Sequence, residues 1–519
     1  MTTDVAVIGA GPTGLALACE LVRHGVRCVV IDENAAITPF SKALAVQART
    51  LEIYEQLGIG RDAIERGAVA RKARMLVGGR IRVELPLADV GQGESPYPFV
   101  LMLAQSENEE LLYAYLQRNG HDVQWGTKLT ALAQDASGVT ATVTSATGEP
   151  STIRAAYLVG CDGAKSVVRH ALGLSFEGST FGRLYYVADA RVDWELPHDA
   201  LHLFLAPDVF TAFFPMRGEH RYRLVGTFPD DATYEEGAVP YDVIAQQVER
   251  EAQMPLRISD VQWFSTYKVY ARRVDRFAKG RCFVAGDAAH IHSPAGGQGM
   301  NTGIQDAYNL AWKLAWVLDG FADPRLLATY DEERLPNAAR LLKTTDRIFA
   351  LGAGSHWLLS RLRTTVLPEV AGALLRLARV RTAVFRLISQ TGITYRRSSL
   401  SDHGADATFR VKAGDRMPYV VVDGRSLYDA LGEPRFHLVT FTDERDGATA
   451  GDVEGELARQ LDRAVVPLVP AVREAFGART VFSVLLRPDN HLASIWSGPS
   501  SAPARRYLEA LAGRAKETS

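Results

Sequence analysis

The sequence predicts an α/β protein of three domains: a parallel-sheet domain opened by a glycine-rich turn, an antiparallel-sheet domain inserted into it, and a separate C-terminal domain. Three observations carry that reading. The chain opens with a strand, a glycine turn, a helix and a second strand. Two more short apolar runs, each followed by a turn with Asp and Gly, lie far downstream. Between them come long stretches in which aromatic and polar residues alternate.

In chain order, residues 5–8 read as a short buried strand, 9–14 as a tight turn, 15–24 as an apolar-periodic helix stopped by Gly25, and 26–31 as a second strand, which makes a βαβ unit. Residues 155–160 and 281–285 are strand-like and can join the same sheet from a distance. Residues 185–228 and 261–270, broken by Pro and Gly, suit a half-buried antiparallel sheet. From residue 302 to about 387 the periodicity is helical, and strand and turn signals return after Thr391. The expected domains are therefore 1–180 with 268–395, an inserted domain at 181–267 with part of 70–102, and a third at 400–519.

A chain of 519 residues exceeds what one core serves. The net charge of −2 gives no field for nucleic acid or anionic lipid, and no apolar run is long enough to span a membrane. The first strand begins without a leader-like segment, and Cys19, Cys28, Cys161 and Cys282 show no CxxC spacing, so a cytoplasmic protein with reduced thiols is expected.

Gly9, Gly11 and Gly14, with Pro12 and Thr13 between them, form a GxGxxG that follows a strand and opens a helix, and Asp32 ends the next strand. There Gly9 permits the turn, Gly11 admits a pyrophosphate, Gly14 brings helix to strand, and Asp32 accepts from a ribose hydroxyl. This motif alone does not separate FAD from NAD. A second constellation begins at Gly286-Asp287 and continues through Pro294, Gly297, Gly299, Met300 and Asn301 into a helix. Its carboxylate suits a ribityl hydroxyl, its glycines allow a flat ring to approach, and its helix N-terminus favours an anion such as reduced flavin. His290 and His292 form an HxH, but with no acidic or cysteine partner spaced nearby no metal is expected.

With these motifs and Val159-Gly160-Cys161-Asp162-Gly163 between them, residues 1–395 resemble the class A flavoprotein monooxygenases, the family of p-hydroxybenzoate hydroxylase, phenol hydroxylase and the aromatic polyketide hydroxylases. The resemblance implies an FAD-binding Rossmann-like domain of the GR2 type. It implies a role for Asp162 toward FAD and the pyridine nucleotide, and a flavin contact from Gln105. Lys42 stands where many relatives carry an arginine near the pyrophosphate, and Leu44 stands near the phenol hydroxylases' aspartate, so the general base is not identified. The implied reaction is hydroxylation of a phenolic or polycyclic aromatic substrate with NAD(P)H and O₂ through a flavin C4a-hydroperoxide. Baeyer–Villiger oxidation, epoxidation and an unproductive NAD(P)H oxidase are the alternatives.

Phe204, Phe210, Phe213 and Phe214, with Pro215 and Tyr222, are candidates to line a substrate pocket, an ordinary sheet core being the other reading. Residues 400–519 resemble the thioredoxin-like C-terminal domain of the phenol and polyketide hydroxylases. The signs are an alternating stretch at 436–441, a strand pair at 481–486 and 491–496 turned by Pro488-Asp489-Asn490, and a helix at 453–464. With no cysteine after Cys282, dithiol exchange is excluded, which leaves covering the flavin domain or joining an oligomer interface such as that of a homodimer, a regulatory lid being the lesser alternative.

Overall fold

A computed structural model of the chain describes residues 1–39, 43–206, 209–229, 234–237, 239–292, 297–353, 367–374, 377–404, 408–443 and 456–513. Its first sheet places Cys282–Val284, Pro150–Gly160, Thr2–Ile8, Cys28–Ile31 and Val123–Gln124 side by side, all parallel. Helices cover this sheet, so its middle strands are apolar at nearly every position; Val5, Val7, Leu158, Val159 and Val284 are fully buried. The register sets Ile8 between Gly160 and Ile31, and Gly160 beside Val284. Three stretches more than a hundred residues apart therefore end at one edge, where Gly9, Asp32, Cys161 and Ala285 follow.

Two glycines of the first turn are dictated by the protein itself. Gly9 has φ +100°, and a Cβ there would lie 2.5 Å from the Cys161 carbonyl oxygen. A Cβ on Gly14 would collide with the Gly9 carbonyl, which lets helix Pro12–Arg23 pack closely against the strand and against helices Gln105–Arg118 and Gly299–Leu318.

The second sheet has eight strands, with Lys72–Val77 and Arg80–Pro86 at one side and Arg257–Val274 paired to Phe176–Asp193 near the other. Helix Tyr241–Ala252 covers one face. The expected boundaries at 181 and 267 fall inside its two longest strands. A register shift between Thr180 and Leu184 interrupts the alternation there, so the sequence pattern starts only after the strand has begun.

Helices Gly299–Leu318, Thr329–Ala353, Leu367–Leu374 and Ala378–Ile388 occupy the expected helical region. Beyond them, strands run in the spatial order Leu461–Pro467, Phe436–Thr442, Phe482–Leu486, Leu492–Ser497, the first pair parallel and the others antiparallel. The helix expected at 453–464 is corrected: only Glu456–Arg459 is helical, and residues 461–464 belong to a strand, while 453–455 lie outside the described residues. Strand Phe436–Thr442 is buried at every position because both its faces are covered. Phe436 packs on Trp312 and Trp316 of the first domain, and Phe441 on Phe476 and Phe482 of its own.

A buried ion network completes that seam. Arg487 pairs with Glu333 and Asp489, Glu333 also pairs with Lys313 at 2.8 Å, and all four side chains are at most 1% exposed. Arg49 donates to the Asp489 carbonyl oxygen at 2.7 Å, and Arg416 pairs with Glu52 at 2.8 Å, so the C-terminal domain grips helix Ala48–Gln56.

Candidate cofactor and active site

The carboxyl ends of the parallel strands open into a cleft of about 330 Å³, lined among others by Gly9, Gly11, Asp32, Gln105, Glu109 and Asp162. Gly11 stands apart from the other two motif glycines. Its φ of −73° suits any residue, and a Cβ there would meet nothing within 4 Å. The protein does not itself require glycine at this position; the open space beside it is what a pyrophosphate would fill. Helix Pro12–Arg23 has no side-chain cap and no acid in its first turn, so its N–H groups are available to an anion, and helix Gly299–Leu318 shares both features.

Asp32 accepts from the Ala10 N–H at 2.7 Å and from the Asn34 N–H at 2.8 Å, which fixes its carboxylate at the mouth of the cleft. Asp162 accepts from the Ser166 hydroxyl at 2.5 Å and the Val168 N–H at 3.1 Å. Burial raises its pKa against those two bonds. Gln105 clamps the peptide of Ala43: its Oε1 accepts from the Ala43 N–H at 3.1 Å, and its own N–H donates to the Ala43 carbonyl at 3.0 Å.

The motifs are bolted to one another. Thr13 sits against the Cα positions of Gly286 and Gly303, where a Cβ on either would clash with it. Arg169 donates to Ala288 O at 3.1 Å and lies 3.9 Å over the Phe176 ring. Asn301 donates to Ala45 O and Gly297 O and accepts from the Gln47 N–H and the Thr50 hydroxyl, so its side chain is consumed by the protein. Met300 accepts from Asn108 through sulfur at 3.7 Å. Asp287 is exposed on the short 3₁₀ turn Gly286–Ala288, while Lys42 and Pro294 lie outside the described residues.

Beneath this turn lies a group that sequence reasoning missed. Asp306 accepts from the Gly286 N–H at 3.0 Å, from His290 at 2.7 Å and from Arg334 at 2.6 Å. Burial alone would raise its carboxyl, but Arg334 and His290 outweigh burial and hold it below the ordinary range. His290, the first half of the HxH, is thus committed to a carboxylate.

A model of the FAD binding domain family matches residues 2–345. A flavin-dependent monooxygenase from Mycobacteroides abscessus is 34% identical, covering 98% of this chain and 99% of its own length. A 6-methylpretetramide 4-monooxygenase from Streptomyces rimosus is 35% identical, covering 98% and 93%. The chain belongs to the FAD-dependent aromatic monooxygenases. Among solved structures, this monooxygenase resembles an anhydrotetracycline hydroxylase from Streptomyces rimosus, with a TM-score of 0.77 at 32% identity and 99% of each chain covered.

In this flavin monooxygenase the antiparallel sheet turns two unlike faces to its surroundings. Phe204, Phe213 and Tyr222 pack with Trp194 and with Ile244 and Val248 of helix Tyr241–Ala252, and Pro215, opposite Tyr222, shares their face. The expectation that these residues line a pocket is corrected: they form the core between sheet and helix. Their neighbours of opposite parity in each strand look the other way. Leu201, Phe214 and Met216 pack with Leu44, Ala45 and Met102 of the flavin domain, and Phe210 joins Tyr185 and Tyr267. On that same face Arg223 makes a buried bidentate pair with Asp189, at 2.7 and 2.6 Å, and reaches the Ala43 carbonyl at 3.0 Å. A strict count of parity from Arg223 would have separated the faces, but nothing in the alternation labels which face is inward.

Proposed function

We propose that this monooxygenase hydroxylates a phenolic or polycyclic aromatic compound, taking its electrons from NAD(P)H and its oxygen from O₂. The observation that carries the reading is that one peptide, Ala43, joins cofactor cleft to sheet: Gln105 holds it from the cleft side and Arg223 from the inner face of the antiparallel sheet. A substrate on that face would lie across Ala43 from Gln105.

The backbone of the Gly9–Gly14 turn and the first N–H groups of helix Pro12–Arg23 would hold the FAD pyrophosphate, and Asp32 the ribose. Asp287 and Lys42 would serve the ribityl chain and phosphates, with Pro294 and the Gly297–Asn301 backbone beside the ring. When bound, FAD accepts hydride and activates O₂. The protein's own part is to orient and to exclude water. Leu201, Phe214 and Met216 supply an apolar wall, and the Arg223–Asp189 pair keeps its charges mutually satisfied within it.

The C-terminal strand order, with its parallel first pair, supports a thioredoxin-like domain whose task is structural. A panel of simple phenols and polycyclic phenols tests the function. The account expects at least one compound to accelerate NAD(P)H oxidation and to emerge one oxygen atom heavier; acceleration with hydrogen peroxide as sole product would overturn it.

A further inference from the structure

Glu109 has no place in the reading so far, yet it stands on the floor of the cofactor cleft. It lies one helical turn beyond Gln105, is 2% exposed, and lines the same cavity as Asp32. Its Oε1 accepts from Gln105 Nε2 at 2.8 Å. The contact orients the Gln105 amide, because with Nε2 turned to Glu109 the amide oxygen must face the Ala43 N–H.

We propose that Glu109 is a proton-dependent positioning residue of the cofactor site: neutral, it holds Gln105 and tolerates the pyrophosphate; ionised, it opposes FAD. The proposal rests on the cleft being the FAD site. Asp32, Glu33, Glu109 and Asp162 all line this cavity; Asp32 is engaged by backbone N–H groups and Asp162 by the Ser166 hydroxyl and the Val168 N–H, whereas Glu109 receives one amide bond. Burial pushes the Glu109 carboxyl up to about 7, Gln105 opposes that, and Asp32 adds to it. The other charged groups along the cleft are Glu33, Lys128, Asp162 and Lys165, while Glu20 and Arg23 of the helix packed behind pair with each other and act on Tyr115 farther along the Gln105–Arg118 helix. Arg66 outside is already bridged to Glu107 and Glu110. Among the described residues none of these cations forms an ion pair with Glu109, and the charge that acts on it is that of Asp32.

The sign follows from linkage. An arriving pyrophosphate adds negative charge and further burial, so the bound state favours the neutral acid more than the free state does. Above pH 7 binding must then take up a proton, and affinity falls as pH rises, by up to about tenfold per pH unit. The test is FAD release from the purified holoprotein on dilution, followed by flavin fluorescence between pH 6 and 8.5, for wild type, Glu109→Gln and Gly11→Val. Glu109→Gln keeps an acceptor for Gln105 without a titrating proton. The expected result is a wild-type dissociation constant that climbs above pH 7 and a Glu109→Gln constant that stays near the acid-side value. Parallel pH profiles for the two proteins would overturn the proposal. Calorimetry of FAD rebinding to wild type at pH 8 in two buffers of different ionisation enthalpy supplies a second reading: proton uptake supports the assignment and none refutes it. Gly11→Val separates the premises, since unaltered affinity in that variant would remove the cleft itself, whereas its loss beside parallel profiles would remove only Glu109.

Discussion

Gly11 and Asp287 are the residues at which the cofactor assignment is most exposed to test. A side chain on Gly11 meets open space, so Gly11→Val should fold, melt at the temperature of wild type stripped of FAD, and bind FAD poorly; absorbance of the purified protein near the flavin bands reads the loss directly. Gly14→Val should not fold at all, since its Cβ would enter the Gly9 carbonyl. For Asp287→Ala, removal of a charge-assisted hydrogen bond to the ribityl chain costs about 1.5–3 kcal/mol, which raises the FAD dissociation constant by roughly 10- to 100-fold. Undiminished occupancy at micromolar protein would contradict that role. These positions were legible in the sequence because the chemistry demands them in contiguous runs after strands. Phe214 and Phe213 were not separable, because alternation reports two faces without naming them, and one residue's difference in parity moves a side chain from the face packed on Leu44 and Met102 to the helix-covered core.

Helix Gly299–Leu318 carries the end of the Gly286–Asn301 constellation at its N-terminus, and the buried Asp306 about two turns on ties that helix to the Gly286 turn and to Arg334. Removing one member leaves the other charge buried without its partner. Arg334→Met is therefore expected to cost about 3–5 kcal/mol of stability, read by urea unfolding of the holoprotein. Because the Asp306 carboxyl is depressed in the fold, its contribution is present above the unfolded value of about 4 and is lost as pH falls below it. Arg334→Met should accordingly narrow the stability gap to wild type under acid conditions; a gap that is constant down to pH 3 would contradict the pairing. In sequence, Asp306 and Arg334 look like ordinary helix surface charges, and only the crossing of two helices makes them partners. Residues 461–464 misled for a related reason: their Leu, Arg and Ala suit a helix locally, and pairing with Phe436–Thr442 overrides that preference.

Across the whole molecule, the C-terminal domain is seated on the flavin domain through Phe436, Arg487 and Asp489. Truncation near Asp402 would expose Trp312 and Trp316 and strip Arg487 from Glu333, leaving it Lys313 and the Asn309 amide, so poor solubility and low stability are expected. Arg487→Met tests the same seam without deleting a domain and should lower the melting temperature while FAD remains bound; loss of FAD with an unchanged melting temperature would instead make this domain part of the site. The order of motifs and the inserted sheet were readable from pattern, whereas the seam was not, since it is built from contacts between residues about 150 apart. The central claim, that cleft and sheet together perform aromatic hydroxylation, is tested most directly by turnover under isotopically heavy O₂ with a compound that stimulates NAD(P)H oxidation. The account predicts one heavy oxygen atom in each product molecule and a product yield approaching the NAD(P)H consumed. Oxygen from water in the product, or NAD(P)H consumed with all the label in hydrogen peroxide, would contradict it.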